Sequence, residues 1–220
     1  MTSGLVAGRH LKSGHPHDRH ATAYYGVAPS VFTSLINRWK RTRPVAPIEE
    51  FTFIDIGAGM GRAMLLASKL PFRSVRGVEL NPELLSIARS NLRRWRQAGD
   101  SLSRMRMFSG DATRMKFPAG PCLAFLFNPF GGPVMERFVR HVKHSFADRP
   151  DELDLVYVNN EQELILRMQV GMRRLFKGRV LRSLKDADAD RRILRTQPGK
   201  EYESGNYEDC SIWRWSGCRR

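Results

Sequence analysis

One stretch constrains this chain more than any other: Phe53-Ile54-Asp55-Ile56-Gly57-Ala58-Gly59-Met60-Gly61-Arg62. An apolar run ends in a carboxylate and then in three glycines spaced G-x-G-x-G. Helix-forming residues, Ala63 to Leu66, follow. Glycine reaches left-handed backbone conformations and lets the main chain approach a ligand closely. A strand, a glycine turn and a helix in that order open a βαβ unit. In open α/β sheets such a turn lies outside the carboxyl end of a strand, where ligands bind.

The pattern that follows alternates strand and helix. The strand at 51–56 and the turn at 57–61 lead to a helix at 62–70, a strand at 75–80 and a helix at 82–97. Asn81 offers an N-cap and Pro82 fits the first helical turn, while Leu84, Leu85, Ala88 and Leu92 share a face. A third strand begins at 105–108 and ends near Asp111, and a fully apolar fourth covers 123–127. Pro133 opens a helix carrying Val134, Phe138 and Val142, before a fifth strand at 153–158 and a helix at 161–170. Two last strands, 179–184 and 210–215, are expected with a charged loop between them. Upstream, Val31, Phe32, Leu35, Ile36 and Trp39 recur at helical spacing, and Pro44 and Pro47 end that segment. The expected fold is α/β: a Rossmann-like, mostly parallel seven-stranded sheet, helices on both faces, and an antiparallel C-terminal strand. The expected organisation is a flexible basic N-terminal tail at 1–20, a helical segment at 21–47 and a ligand-binding domain at 48–220.

Composition narrows the context. At 220 residues the chain can bury a core without disulfide staples. No apolar run approaches the ~18 residues of a membrane helix. The first twenty residues lack the apolar region of a secretory signal. Cys122, Cys210 and Cys218 match no metal or disulfide pattern, which suits a reducing cytoplasm. His10, His15, His17 and His20 read as part of a solvated tail, because no cysteine or carboxylate cluster completes a metal site. The net charge of +15 has two readings: an anionic partner, or a compositional preference for arginine, which outnumbers lysine 29 to 8. The arginines are spread along the chain rather than massed in one run, which favours the second.

Three strand ends define a cofactor site. The glycine turn closes the first. Glu79 ends the second, placed to bind both hydroxyls of an adenosine ribose. Asp111 follows the third, placed to accept a hydrogen bond from an adenine amino group. A dinucleotide fingerprint needs G-x-G-x-x-G, but here Arg62 stands where its third glycine would be. Asp55 adds a carboxylate near a ligand end that must therefore be cationic. S-adenosylmethionine (SAM) carries an ammonium and a sulfonium, whereas NAD carries a diphosphate. The lining favours SAM.

From Phe51 to Asn159 the chain resembles the class I SAM-dependent methyltransferases. The resemblance rests on the 53–62 stretch, Gly77-Val78-Glu79-Leu80, Gly110-Asp111-Ala112 and Asn128-Pro129-Phe130-Gly131. It implies that Asp55, Gly57, Gly59 and Gly61 hold the methionine part, Glu79 the ribose and Asp111 the adenine. More narrowly, Arg62, Pro71-Phe72 and the Asn128 motif resemble small bacterial methyltransferases grouped with the non-SET histone-lysine methyltransferase fold.

Asn128-Pro129-Phe130 is similar to the Asn-Pro-Pro-aromatic motif of methyltransferases that act on planar amino groups. In that role Asn128 accepts a hydrogen bond from the target N–H beside the cofactor, Pro129 stiffens the loop and Phe130 shapes the acceptor slot. Phe130 in place of the second proline leaves room for an alkyl amine. The alternative is that Asn128-Pro129 simply ends a strand in a turn. Upstream, Tyr24 and Tyr25 could wall the acceptor channel, or pack an N-terminal helix on the sheet. The expected function is SAM-dependent N-methylation of a protein lysine or a small amine, without a metal and without a membrane partner. A nucleic-acid base as acceptor, or a SAM-binding adaptor without activity, is the alternative.

Overall fold

The organising element of the structure, a computed structural model, is a seven-stranded sheet of order β3-β2-β1-β4-β5-β7-β6. The structure describes residues 14–18, 25–196 and 205–217, apart from the side chains of 193–196. Strands β1 (Thr52–Ile56), β2 (Ser74–Glu79), β3 (Met105–Ser109), β4 (Cys122–Phe127) and β5 (Leu153–Val158) are parallel. β7 (Tyr207–Trp215) inserts antiparallel between β5 and the edge strand β6 (Met172–Leu181). The fold class expected from the sequence is therefore the one observed.

Side chains alternate across the sheet, as strand geometry requires. Phe53, Phe125 and Val156 face a core built with α1 (Pro29–Arg41), α2 (Arg62–Ser68) and the Leu92 end of α3 (Pro82–Gln97). Ile54, Leu126 and Leu155 face the other core, with α4 (Gly132–Ser145) and Leu166 of α5 (Glu163–Arg167). β1, β4 and β5 are buried almost throughout. That burial explains why each reads as a continuous apolar run rather than an alternating one.

A buried ion pair ties this frame together. Asp154 of β5 is fully buried, accepts a bidentate pair from its register partner Arg214 at 2.7 and 2.9 Å, and accepts the indole N–H of Trp39 at 2.7 Å. A fully hydrogen-bonded pair can sit in low dielectric where a lone carboxylate could not. It ties α1 to the β5–β7 pair.

The C-terminal third departs from expectation. β6 starts at Met172, seven residues before the expected strand. The segment expected as a charged loop contains a helix, α6 (Leu184–Thr196). Ser183 caps it, accepting Asp186 N–H at 3.2 Å. Asp186 in turn accepts the Ser30 N–H at 2.8 Å, one of the first-turn donors that α1 cannot satisfy internally. α5 is shorter than expected, and Gly171 beyond it takes φ +90°.

Candidate active site

β1 runs to β2 on one side, while its other neighbour is β4, so a crevice opens above the carboxyl ends of β1 and β4. The glycine turn fills its floor. Gly57, Gly59 and Gly61 have φ of +68°, +53° and +85°, which explains the residue type at all three positions. The turn is tied to β2: Gly57 and Ala58 donate to the Val78 carbonyl at 3.1 and 3.0 Å. Gly59 N–H donates to Glu79 Oε2 at 2.7 Å, and Asn81 N–H donates to Oε1 at 2.8 Å. Glu79 therefore shapes the turn as well as ending its own strand. Asn81 caps α3 through Oδ1, accepting Glu83 and Leu84 N–H at 3.0 Å each.

The cavity above the turn is lined by Asp18, Asp55, Glu79 and Asp111. Arg62 is its one guanidinium among the described residues. A protein of net charge +15 thus encloses a mainly acidic cavity. Burial, reinforced by the charge of Glu79, pushes the Asp55 carboxyl up to about 8, against a backbone hydrogen bond from Met64. Burial also raises Glu79, against the N–H groups of Asn81 and Gly59. Two carboxylates so placed disfavour joint ionisation, and a cation between them relieves the conflict.

Asp111 closes the far end. Its Oδ1 accepts Thr113 N–H at 2.8 Å, and its Oδ2 lies 3.4 Å from His17 Nδ1. Arg137 contacts His17 Nε2 at 2.8 Å. A guanidinium only donates, so Nε2 accepts and the proton sits on Nδ1, facing Asp111. His17 is buried, against the expectation of a solvated histidine tail, because this bridge holds it on the cavity rim. His15, His17 and Asp111 bring possible ligand atoms within 4.8 Å of one another, but the Arg137 contact favours protonated His17 Nδ1 over a metal-binding one. Residues His10 and His20 lie outside the described residues.

The β4 loop meets the turn directly. A Cβ on Gly57 would come within 2.6 Å of Pro129 Cβ. Pro129 and Phe130 line the cavity, and Phe130 rests on Phe138 with ring centroids 5.8 Å apart. Asn128 is buried in a strained conformation, φ +39°, and its Oδ1 accepts the Tyr157 hydroxyl at 3.4 Å. Tyr157 Oη in turn accepts Gln162 N–H at 3.2 Å. Tyr25 lines the cavity and meets Phe127 edge-to-face at 6.4 Å. Tyr24 lies outside the described residues.

Neither a protein-family model nor a curated protein sequence matches the chain. Solved structures do. Precorrin-6y C5,15-methyltransferase from Geobacter metallireducens superposes with TM-score 0.53 at 18% identity, over 84% of this chain and 88% of that one. Magnesium protoporphyrin IX methyltransferase from Synechocystis, solved with SAM bound, gives 0.52 at 14%, over 84% and 78%. TrmN from Thermus thermophilus gives 0.54 at 17%, over 86% of this chain but only 49% of its own. The chain has the class I SAM-dependent methyltransferase fold.

That methyltransferase fold implies SAM, and the donor set suits it. Asp55 and Glu79 place buried carboxyl groups beside the glycine turn, the acceptor type that an ammonium and ribose hydroxyls require, while apolar Leu80 and Ala112 flank the Asp111 end. The sequence-selected residues Asp55, Gly57, Gly59, Glu79, Asp111, Tyr25, Pro129 and Phe130 all line the one cavity. Gly61 lies behind it, packed against Leu92 and Ala88. Asn128 is not among the residues that line the cavity; it is buried in the adjoining loop with its Oδ1 toward the Tyr157 hydroxyl. Glu163, beyond the fifth strand, is bound to Arg174 at 3.0 Å and to Lys177. Despite burial, those cations hold it below the usual carboxylate range.

Sequence reasoning missed four residues at or behind the cavity: Tyr157, His17, and the Arg182–Asp190 pair behind Tyr25. The capping serine and the early-acid, late-base order of 183–196 were the signals for the helix that carries Asp190.

Proposed function

We propose that the protein transfers a methyl group from SAM to the nitrogen of an amino group, on a protein lysine or a small amine. The observation that carries this reading is the contact of Gly57 with Pro129, which sets a carboxylate-lined cradle against the Asn128 loop. Asp55 would hold the ammonium of SAM, Glu79 its ribose and Asp111 its adenine. When bound, SAM supplies a methyl group already activated by its sulfonium, so the residues need chiefly to align an acceptor. Asn128 suits that task. Its Oδ1 accepts the Tyr157 hydroxyl at 3.4 Å, and an amide oxygen is the acceptor type that a target N–H requires. Phe130 and Pro129 shape the approach. Residues 48–220 form the catalytic domain in this reading, after the helical segment at 21–47.

The charge of +15 favours a second reading, in which the amino group belongs to a nucleic-acid base. Binding to RNA would then weaken steeply with salt.

The test is Asn128→Ala, followed by methyl transfer from labelled SAM and by SAM affinity. Turnover is expected to fall about 10²-fold with affinity unchanged. Equal loss of both would make Asn128 a structural or cofactor-binding residue. SAM binding without transfer to any acceptor by the unaltered protein would favour the inactive adaptor.

A further inference from the structure

Behind the acceptor end of the cavity lies a buried charge cluster that the methyltransferase reading does not use. Arg182, at the end of β6, donates to Asp190 of α6 at 2.7 Å and to Glu208 of β7. Their side chains are 5%, 6% and 11% exposed, so solvent screens them little. One guanidinium faces two carboxylates, which leaves one excess negative charge when both are ionised. The Arg182 guanidinium stands 5.9 Å from the Tyr25 ring centroid, and the Tyr25 hydroxyl is buried beside Asp190. Burial first, then the nearby Asp190 carboxylate, push that hydroxyl above the usual tyrosine range, against the charge of Arg182. Two carboxyl groups and one guanidinium thus stand behind Tyr25.

In front of the cluster, Tyr25 meets Phe127 edge-to-face, and both rings line the cavity with Phe130. Aromatic faces attract cations, most strongly where water is excluded. Resting on the proposed methyl transfer, we propose that the acceptor is an alkyl amine whose cationic product is held by the Tyr25 and Phe127 rings, with Asp190 as a positioning residue that acts through Tyr25. In the transfer, the amine lone pair forms the new N–C bond while the C–S bond breaks and leaves its electron pair on sulfur. The alkylammonium substrate gives one proton to solvent before that attack, and methylation restores the positive charge on nitrogen beside the edge-to-face ring pair. An acceptor that is neutral before binding gains little from these carboxyl groups, so the arrangement favours an amine that is cationic before and after transfer.

The experiment compares choline with its uncharged carbon isostere, 3,3-dimethylbutan-1-ol, by calorimetry. S-adenosylhomocysteine is present at saturation, so that the cofactor carboxylates are occupied. Choline is expected to bind about tenfold more tightly than the isostere. Asp190→Asn should erase most of that preference while S-adenosylhomocysteine affinity stays unchanged. Tyr25→Leu should do the same, and serves if the Asp190 variant fails to fold. Equal binding of the two probes, or binding of neither, overturns the inference while leaving SAM-dependent methylation standing. Failure of S-adenosylhomocysteine to bind the folded protein overturns both.

Discussion

The α-carbon of Gly57 faces Pro129 so closely that a methyl group there would lie 2.6 Å from the proline Cβ. The φ of +68° at Gly57 already disfavours any side chain. Gly57→Ala must therefore push apart the glycine turn and the Asn128 loop. Loss of stability of about 1–3 kcal/mol is expected, together with loss of SAM binding, read by denaturant unfolding and calorimetry. An alanine variant with native stability and affinity would show that the two loops are not held in register.

Glu79 has two tasks, shaping the turn through Gly59 and offering charge to a ribose. Glu79→Gln keeps one acceptor oxygen but removes the charge. Charge-assisted hydrogen bonds contribute about 1.5–3 kcal/mol, so SAM should bind roughly 10- to 100-fold more weakly, and stability should also fall because the new amide N–H faces the backbone N–H of Gly59 or Asn81. An unchanged dissociation constant would remove Glu79 from the ribose site.

Asp55 makes the binding equilibrium depend on pH. Its folded carboxyl sits at about 8 instead of 3.8, so between those values the folded state holds a proton that the unfolded state has lost. Stability from this group is present below the lower value and is lost as pH rises toward the upper one. Asp55→Asn should flatten that decline. A SAM ammonium beside Asp55 would lower its pKa, so binding at pH 7 should release close to one proton. The binding enthalpy should then vary with the ionisation enthalpy of the buffer. A buffer-independent enthalpy would place the ammonium elsewhere.

The sequence made the first half of the fold legible because its periodicity is clean. β1, β4 and β5 are buried on both faces and read as unbroken apolar runs, and Asn81-Pro82 announces α3. The cofactor end was legible for a related reason: Gly57, Glu79 and Asp111 each follow a strand, and strand ends converge in a parallel sheet. What failed was read from charge. Lys185-Asp186-Ala187-Asp188-Ala189-Asp190 looks like solvated loop, yet Asp186 caps α1 and Asp190 pairs with Arg182. Edge strand β6 carries Arg173, Arg174, Lys177 and Arg179, whose charges hide its first half from an apolar-pattern reading. Contacts such as Tyr157 to Asn128 join residues 29 apart and depend on register between strands, which no local pattern encodes.

The central claim is that this cavity holds SAM. Titration of the folded protein with SAM and, separately, with NAD⁺ tests it most directly. A SAM dissociation constant in the micromolar range, about −8 kcal/mol, with no response to NAD⁺, is the predicted result. A folded sample that takes up NAD⁺ or neither ligand would contradict it.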